Sequence, residues 1–240
     1  MHGRCTEMVI AWGIPMSAST FRNRDSARSL ETRERILSTT ENFLVQNGLD
    51  LSIRAVTEEA GANVAAVNYH FGSKEGLLRA VLEGVAGPLN QARAEALERA
   101  KAKAGVNPIP IEDIVEAVLH PYIFGPEGRE NAGMIFLRIA LANRVRPTDL
   151  GRALIREYLE PIAQQLLHAL REALPDLSDA EIHWRYHFMI SSVLATLADM
   201  EVGGRFHTLS KGECDVTDKA EILRQLVRFL SAGLRAPRGP

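Results

Sequence analysis

From about residue 30 onward the apolar positions recur at helical spacing, and no sustained period-two alternation or Asn-Gly or Asp-Gly hairpin turn marks a strand. Ile36, Leu37, Thr40, Phe43 and Leu44 form one stripe and predict a helix over 30–47. Gly48 ends it, because glycine takes the left-handed C-cap conformation most readily. Ser52 stands where an N-cap belongs and opens a predicted helix over 53–60 that Gly61 stops. Asn63 caps the next, over 64–71, which Gly72 ends, and Ser73 caps a long helix starting at Lys74. Gly84, Gly87 and Pro88 predict that this long helix kinks or breaks, with 89–104 helical on the far side. Beyond the breaker Pro108-Ile109-Pro110 the pattern predicts helices over 111–124, 132–144, 149–174 (kinked at Pro161), 179–200 and 217–235. Gly125–Gly133 and 202–216 read as loops, and Ser178 with Glu181 forms a capping box at the start of 179–200.

The expected fold is therefore all-α. Three short helices with glycine stops, at 29–79, have the outline of a helix-turn-helix head, and 80–236 reads as a helical body for ligand binding and dimerisation. Residues 1–28 read as a flexible tail, in which Met1, Met8 and Met16 are alternative starts.

Charge does not single out a partner. The net charge is −2. Residues 29–79 carry five basic side chains against seven acidic ones, so any nucleic-acid binding has to come from local placement of groups. Arg22, Arg24 and Arg28 in the tail can add backbone contacts. The two cysteines, Cys5 and Cys214, are far apart and form no CxxC pair, which suits a reducing cytoplasm. Met8–Pro15 is too short and lacks the basic flank of a signal segment, and no apolar run is long enough for a membrane span. G-x-S-x-G, P-loop, G-x-G-x-x-G and H-E-x-x-H motifs are absent, so no catalytic residue and no cofactor is expected.

The chemistry lies in the segment 64–71. On a helical wheel Val64, Val67 and Phe71 share the side that packs on the preceding helices. Ala65, Ala66 and Tyr69 face the other way, with Asn68 and His70 on the flanks. Two alanines allow close approach in a major groove, Asn68 suits adenine, and Tyr69 and His70 suit phosphates or base edges. Ser52, Arg54 and Lys74, near helix N-termini, can clamp the DNA backbone. The run from Ser52 through Ala60-Gly61 and Asn68-Tyr69-His70-Phe71 to Lys74-Glu75-Gly76-Leu77 resembles the signature of the TetR/AcrR family of transcriptional regulators. That resemblance implies phosphate contacts from Ser52, Arg54 and Lys74, and recognition-helix contacts from Val64, Ala65, Ala66, Asn68, Tyr69 and His70; Asn63, the cap of the same helix, is expected at the DNA with them. Asn68 departs from the pattern, in which many members carry an aromatic residue, and this leaves base reading open to it.

In the body, Ile135–Arg138, Trp184–Met189 and Phe229–Arg235 are similar to the fatty-acid-responsive members of that family in pseudomonads. The implied effector is a small apolar molecule, a fatty acid or its acyl-CoA. Tyr122, Phe124, Met134, Phe136, Leu137, Trp184, His187 and Phe188 are the expected lining, with Arg138 as carboxylate or phosphate partner; the alternative is that these are ordinary core positions. His183 and His187 have metal-binding spacing, but no third ligand stands at a recognisable interval and no metal is expected. Ile190, Val193, Leu194 and Leu197, with Leu223, Val227 and Leu230, are expected to make a two-fold homodimer interface. The expected partners are then double-stranded DNA with a pseudo-palindromic operator, a small-molecule effector and a second copy of the chain, with no membrane. A zinc hydrolase on His183 and His187, and an interaction bundle without DNA binding, are the rival readings.

Overall fold

A computed structural model describes residues 18–200 and 203–237, with side chains from Ala27 onward. Among the described residues ten helices and no strand make up the fold: α1 (Ala18–Asn47), α2 (Ile53–Glu59), α3 (Val64–Phe71), α4 (Lys74–Ala104), α5 (Ile111–Phe124), α6 (Ala132–Val145), α7 (Asp149–Ala173), α8 (Asp179–Ala198), α9 (Arg205–Leu209) and α10 (Lys219–Leu234). None is long and apolar enough to cross a membrane.

The head closes because its stripes meet. Ile36, Thr40 and Leu44 of α1 are buried with Val56 of α2, Val67 of α3 and Leu77 and Leu78 of α4. Each such aliphatic side chain contributes roughly 1.5–3 kcal/mol when fully removed from water. The Thr40 hydroxyl is satisfied inside its own helix, donating to the Ile36 carbonyl at 2.7 Å. Gly48 turns the chain at φ +68°. It also lets α1 abut α6: a Cβ there would stand 2.7 Å from the Ala142 carbonyl carbon.

The body is built around α5, buried from Ile111 to Ile123 along most of its faces. It packs against α4, α6, α7 and α10, while α8 rests on α6, α7 and α10. Arg235 at the end of α10 grips Glu112 with both terminal guanidinium nitrogens and holds that carboxyl below its ordinary range. The capping box at Ser178 and Glu181 is present.

Three expectations need correction. The first helix starts at Ala18, not near residue 30, so 18–28 of the expected tail is helical; residues 1–17, including the three candidate starts, lie outside the described residues. The expected loop 202–216 contains the short helix α9.

The third correction concerns α4: of the expected kink or break at Gly84, Gly87 and Pro88, the break does not occur, and the helix runs through. Pro88 has no N–H to give the Gly84 carbonyl. That carbonyl is taken instead by Arg129, reaching across from the α5–α6 loop. A second nitrogen of the same guanidinium pairs with Glu41 of α1 at 2.7 Å. The proline defect is thus filled by a side chain that also fastens α1 to α4.

Arg129→Met is expected to cost about 1–3 kcal/mol, since it leaves both a helix carbonyl and a half-buried carboxylate without their donor. A urea melt should show a lower midpoint with an unchanged slope. An unchanged midpoint would mean that α4 passes Pro88 unaided.

Candidate nucleic-acid interface

Capping chemistry sets the frame of α2 and α3. Ser52 is extended (φ −97°, ψ 122°) and its hydroxyl oxygen accepts from the Ala55 N–H. The hydroxyl proton remains available for an outside oxygen. Asn63 is extended likewise, and its Oδ1 accepts from the Ala66 N–H at 2.8 Å. The Asn63 side chain keeps its NH2 as a donor and a second lone pair on Oδ1 for an outside partner while it caps the helix. Gly72 closes α3 at φ +75°. Gly76 then allows the tight return into α4, because a Cβ there would lie 2.0 Å from the Phe71 carbonyl oxygen.

These constraints leave one side of α3 bare. Asn63, Ala65, Asn68 and Tyr69 are exposed, Ala66 and His70 half-buried, and Val67 alone fully buried. Tyr69 is 80% exposed, its ring edge-on to His70 at 4.9 Å. Phe71 packs inward beneath the Arg33 guanidinium, 5.3 Å from the ring centre. Val64 does not share the packed side as the wheel predicted; it is 47% exposed. It occupies the first residue of α3, where the helix end projects beyond the cover of its neighbours.

The cations sort by use. Arg35 donates to the Ala60 carbonyl at 2.6 Å and so ties α1 to the end of α2. Arg79 is held by Glu75 and Glu157. Arg54 remains, in an open 3.0 Å pair with Glu58 within one helix. Such exposed pairs are worth only a few tenths of a kcal/mol and exchange readily for a phosphate. Lys74 gives one of its protons to the Leu51 carbonyl at 2.6 Å, which aims the ammonium across the α2 N-terminus and leaves the others free. Each head thus offers two positive groups and a hydroxyl around an uncharged reading surface.

Residues 36–81 match the family model described as bacterial regulatory proteins, tetR family. Residues 116–233 match the tetracyclin repressor-like C-terminal domain. The chain belongs to the TetR family.

It is thereby a DNA-binding transcriptional regulator with a helix-turn-helix head, of a family whose members are not enzymes. Over 53 residues it is 42% identical to the HTH-type transcriptional regulatory protein RaaS of Mycobacterium tuberculosis, a match spanning 22% of this chain and 25% of that relative. A HlyIIR mutant protein carrying a linker with two thrombin sites overlays on 87% of this chain and all of its own, with a TM-score of 0.55 at 18% identity. That likeness concerns the fold.

In the body the expected effector residues do not gather around one cavity. Tyr122, Phe136 and Leu137 are core, and Phe124 and Met134 are half-buried. Arg138, Trp184, His187 and Phe188 are exposed, with the Trp184 and Phe188 rings stacked at 5.7 Å on the outer face of α8. The aromatic spacing of 184–188 marks an outward helix face, where the sequence reading had placed a lining. Among the described residues no group of three metal-ligating side chains stands together, at His183 and His187 or elsewhere.

The expected dimer contacts divide in a similar way. Val193, Leu194, Leu197 and Leu230 are buried within the single chain, where they hold α8 and α10 to the body. Ile190, Leu223 and Val227 are half-buried. Packing inside the protomer takes them first, because the body core needs an apolar face from both helices. The large apolar groups those helices leave outside are Trp184, Phe188 and Phe229, the last 70% exposed.

One residue in the body was missed by the sequence reading. Arg93 of α4 is buried, and the signal was available: Leu89, Arg93, Leu97 and Ala100 share one helical stripe.

Proposed function

We propose that the chain is a homodimeric repressor that binds a pseudo-palindromic operator through α3 and leaves it when a small apolar effector enters the body. The observation that carries this reading is the bare face of α3. Ala65, Asn68 and Tyr69 are exposed, and the helices that flank α3 begin with the Ser52 hydroxyl and Arg54 on one side and the Lys74 ammonium on the other. A helix with small residues at its centre lies close in a major groove, and the flanking groups fix its register on phosphates. The apolar surface on α8 and α10 supports pairing of two protomers there, with Trp184, Phe188 and Phe229 at the contact. A fatty acid or acyl-CoA as effector rests on the likeness of 135–138, 184–189 and 229–235 to the fatty-acid-responsive members of the family. Such a regulator works in the cytoplasm, where its operator is.

Selection of bound duplexes from a random library, followed by gel retardation, tests the core of the proposal. A dimer selects two inverted half-sites about one DNA turn, or a multiple of it, apart. Recovery of a lone half-site would remove the dimer, and recovery of no preferred sequence would remove base reading by α3.

The charge inventory makes a second expectation for the selected site. With Arg54 and Lys74 from each of two heads, four phosphates are neutralised. The logarithm of the binding constant then falls against the logarithm of salt concentration with a slope of about −3.6. A slope steeper than about −6 would mean that basic groups outside α2–α4 carry much of the binding.

A further inference from the structure

Among the described residues Arg93 is the one charged side chain that is fully buried, with 2% of its surface exposed. Its guanidinium carbon lies 3.8 Å from the centre of the Tyr122 ring of α5. One terminal nitrogen donates to the Asn90 Oδ1 at 3.0 Å. The orientation of that amide is set in turn, because the Asn90 Nδ2 donates to the Tyr158 carbonyl at 2.6 Å. The Nε–H has no acceptor, and no carboxylate pairs with the group. Tyr186 on α8 is half-buried; burial raises its phenol above the ordinary range, and the Arg93 charge counters that in part.

A guanidinium is not given up to a core without a counter-charge unless something else requires it. Burial pushes Arg93 down to about 9, which still leaves it protonated at neutral pH. The ring of Tyr122 and the amide of Asn90 recover part of the lost hydration, yet neither gives the Nε–H an acceptor. What Arg93 presents there is donors: the Nε–H and the remaining terminal N–H groups. A planar fork of donors in an apolar setting fits a carboxylate on a molecule whose remainder is apolar.

We infer that Arg93 is the anchor of the effector site, and that the effector is an organic carboxylate held by the Arg93 fork between α4 and α5. The inference rests on the reading of the body as a sensing domain, and it moves the charge contact from Arg138, which is exposed, to the core. It also connects the site to the head without an intermediary. Arg93 and Lys74 lie on the same unbroken helix, about 28 Å apart along its axis. An anion that pulls on Arg93 therefore acts on the element that carries a phosphate clamp.

The test uses the full chain with benzoate, hexanoate and decanoate, each beside the alcohol of the same skeleton, followed by thermal unfolding and by retention of the selected operator. At least one carboxylate should raise the unfolding temperature and release the operator, with its alcohol about ten-fold weaker or more. In Arg93→Gln the affinity for that carboxylate should fall about ten- to a hundred-fold while retention of the operator without ligand persists. Equal binding of acid and alcohol, no binding of any carboxylate, or an unchanged affinity in Arg93→Gln would each overturn the assignment. If Arg93→Gln does not fold, the Arg93 Nε resonance of the 15N-arginine-labelled native chain decides. A shift with the carboxylate and not with the alcohol supports the site, and no shift with either removes it. Operator retention without any carboxylate response sinks this inference and leaves the DNA-binding reading standing. An Arg93-dependent response in a chain that retains no duplex does the reverse.

Discussion

Gly48→Val is expected to lower stability by about 3 kcal/mol, from roughly 1–2 for the left-handed backbone and about 1–3 for overpacking. The glycine sits at φ +68°, and a Cβ there meets the Ala142 carbonyl carbon at 2.7 Å and the Asn143 nitrogen at 2.8 Å. Both obstacles are helix backbone, which cannot rotate aside as a side chain does. For a chain of this size the loss corresponds to on the order of 10 °C in unfolding temperature, measured by calorimetry at fixed protein concentration. Gly61 supplies the control. It too has a positive φ, +58°, but nothing lies within 4 Å of its added Cβ, so Gly61→Ala should carry only the backbone cost of about 1 kcal/mol. Equal losses at the two positions would show that contact between α1 and α6 is not what makes Gly48 necessary.

The second large effect falls on binding. Ala65→Glu should weaken the selected operator by about a hundred-fold or more, because a carboxylate is brought against phosphates and base edges where a methyl group had allowed close approach. Ala65 is exposed on α3, so the folded state should keep its stability within about 0.5 kcal/mol. Fluorescence anisotropy at fixed salt separates the two quantities. An affinity within three-fold of the parent (on the order of 0.6 kcal/mol) would mean that α3 does not face the DNA.

The head was legible because its structure is local. Ser52, Asn63 and Ser73 accept hydrogen bonds as N-caps, and Gly48, Gly61 and Gly72 take positive φ, where the order of residue types places them. The bare side of α3 followed from a wheel of eight residues, with Val64 as the exception because an end residue has no neighbour to bury it. In the body the apolar stripes located the helices, but a stripe does not say whether it faces its own core or a partner. Trp184 and Phe188 lie outside and Val193 and Leu197 inside on a single helix that is apolar nearly all round. Pro88 misled for a related reason: the donor that fills its gap, Arg129, comes from 41 residues further along the chain (129 − 88). Such distant compensation leaves no mark at the proline itself.

The continuity of α4 bears on modular engineering. At 31 residues it is about 46 Å long, and it serves as the last element of the head and the first of the body at once. A chimera that grafts this head onto another sensing domain therefore has no linker at which to cut. A junction within α4 would part the Gly84 carbonyl from Arg129, and one before it would strip the head of Lys74, Leu77 and Leu78. The transplantable unit is α1 through α4 together with the α5–α6 loop and the stretch of α6 that faces Gly48. Designers who swap less should expect a head short of part of its core and a signal that never reaches it.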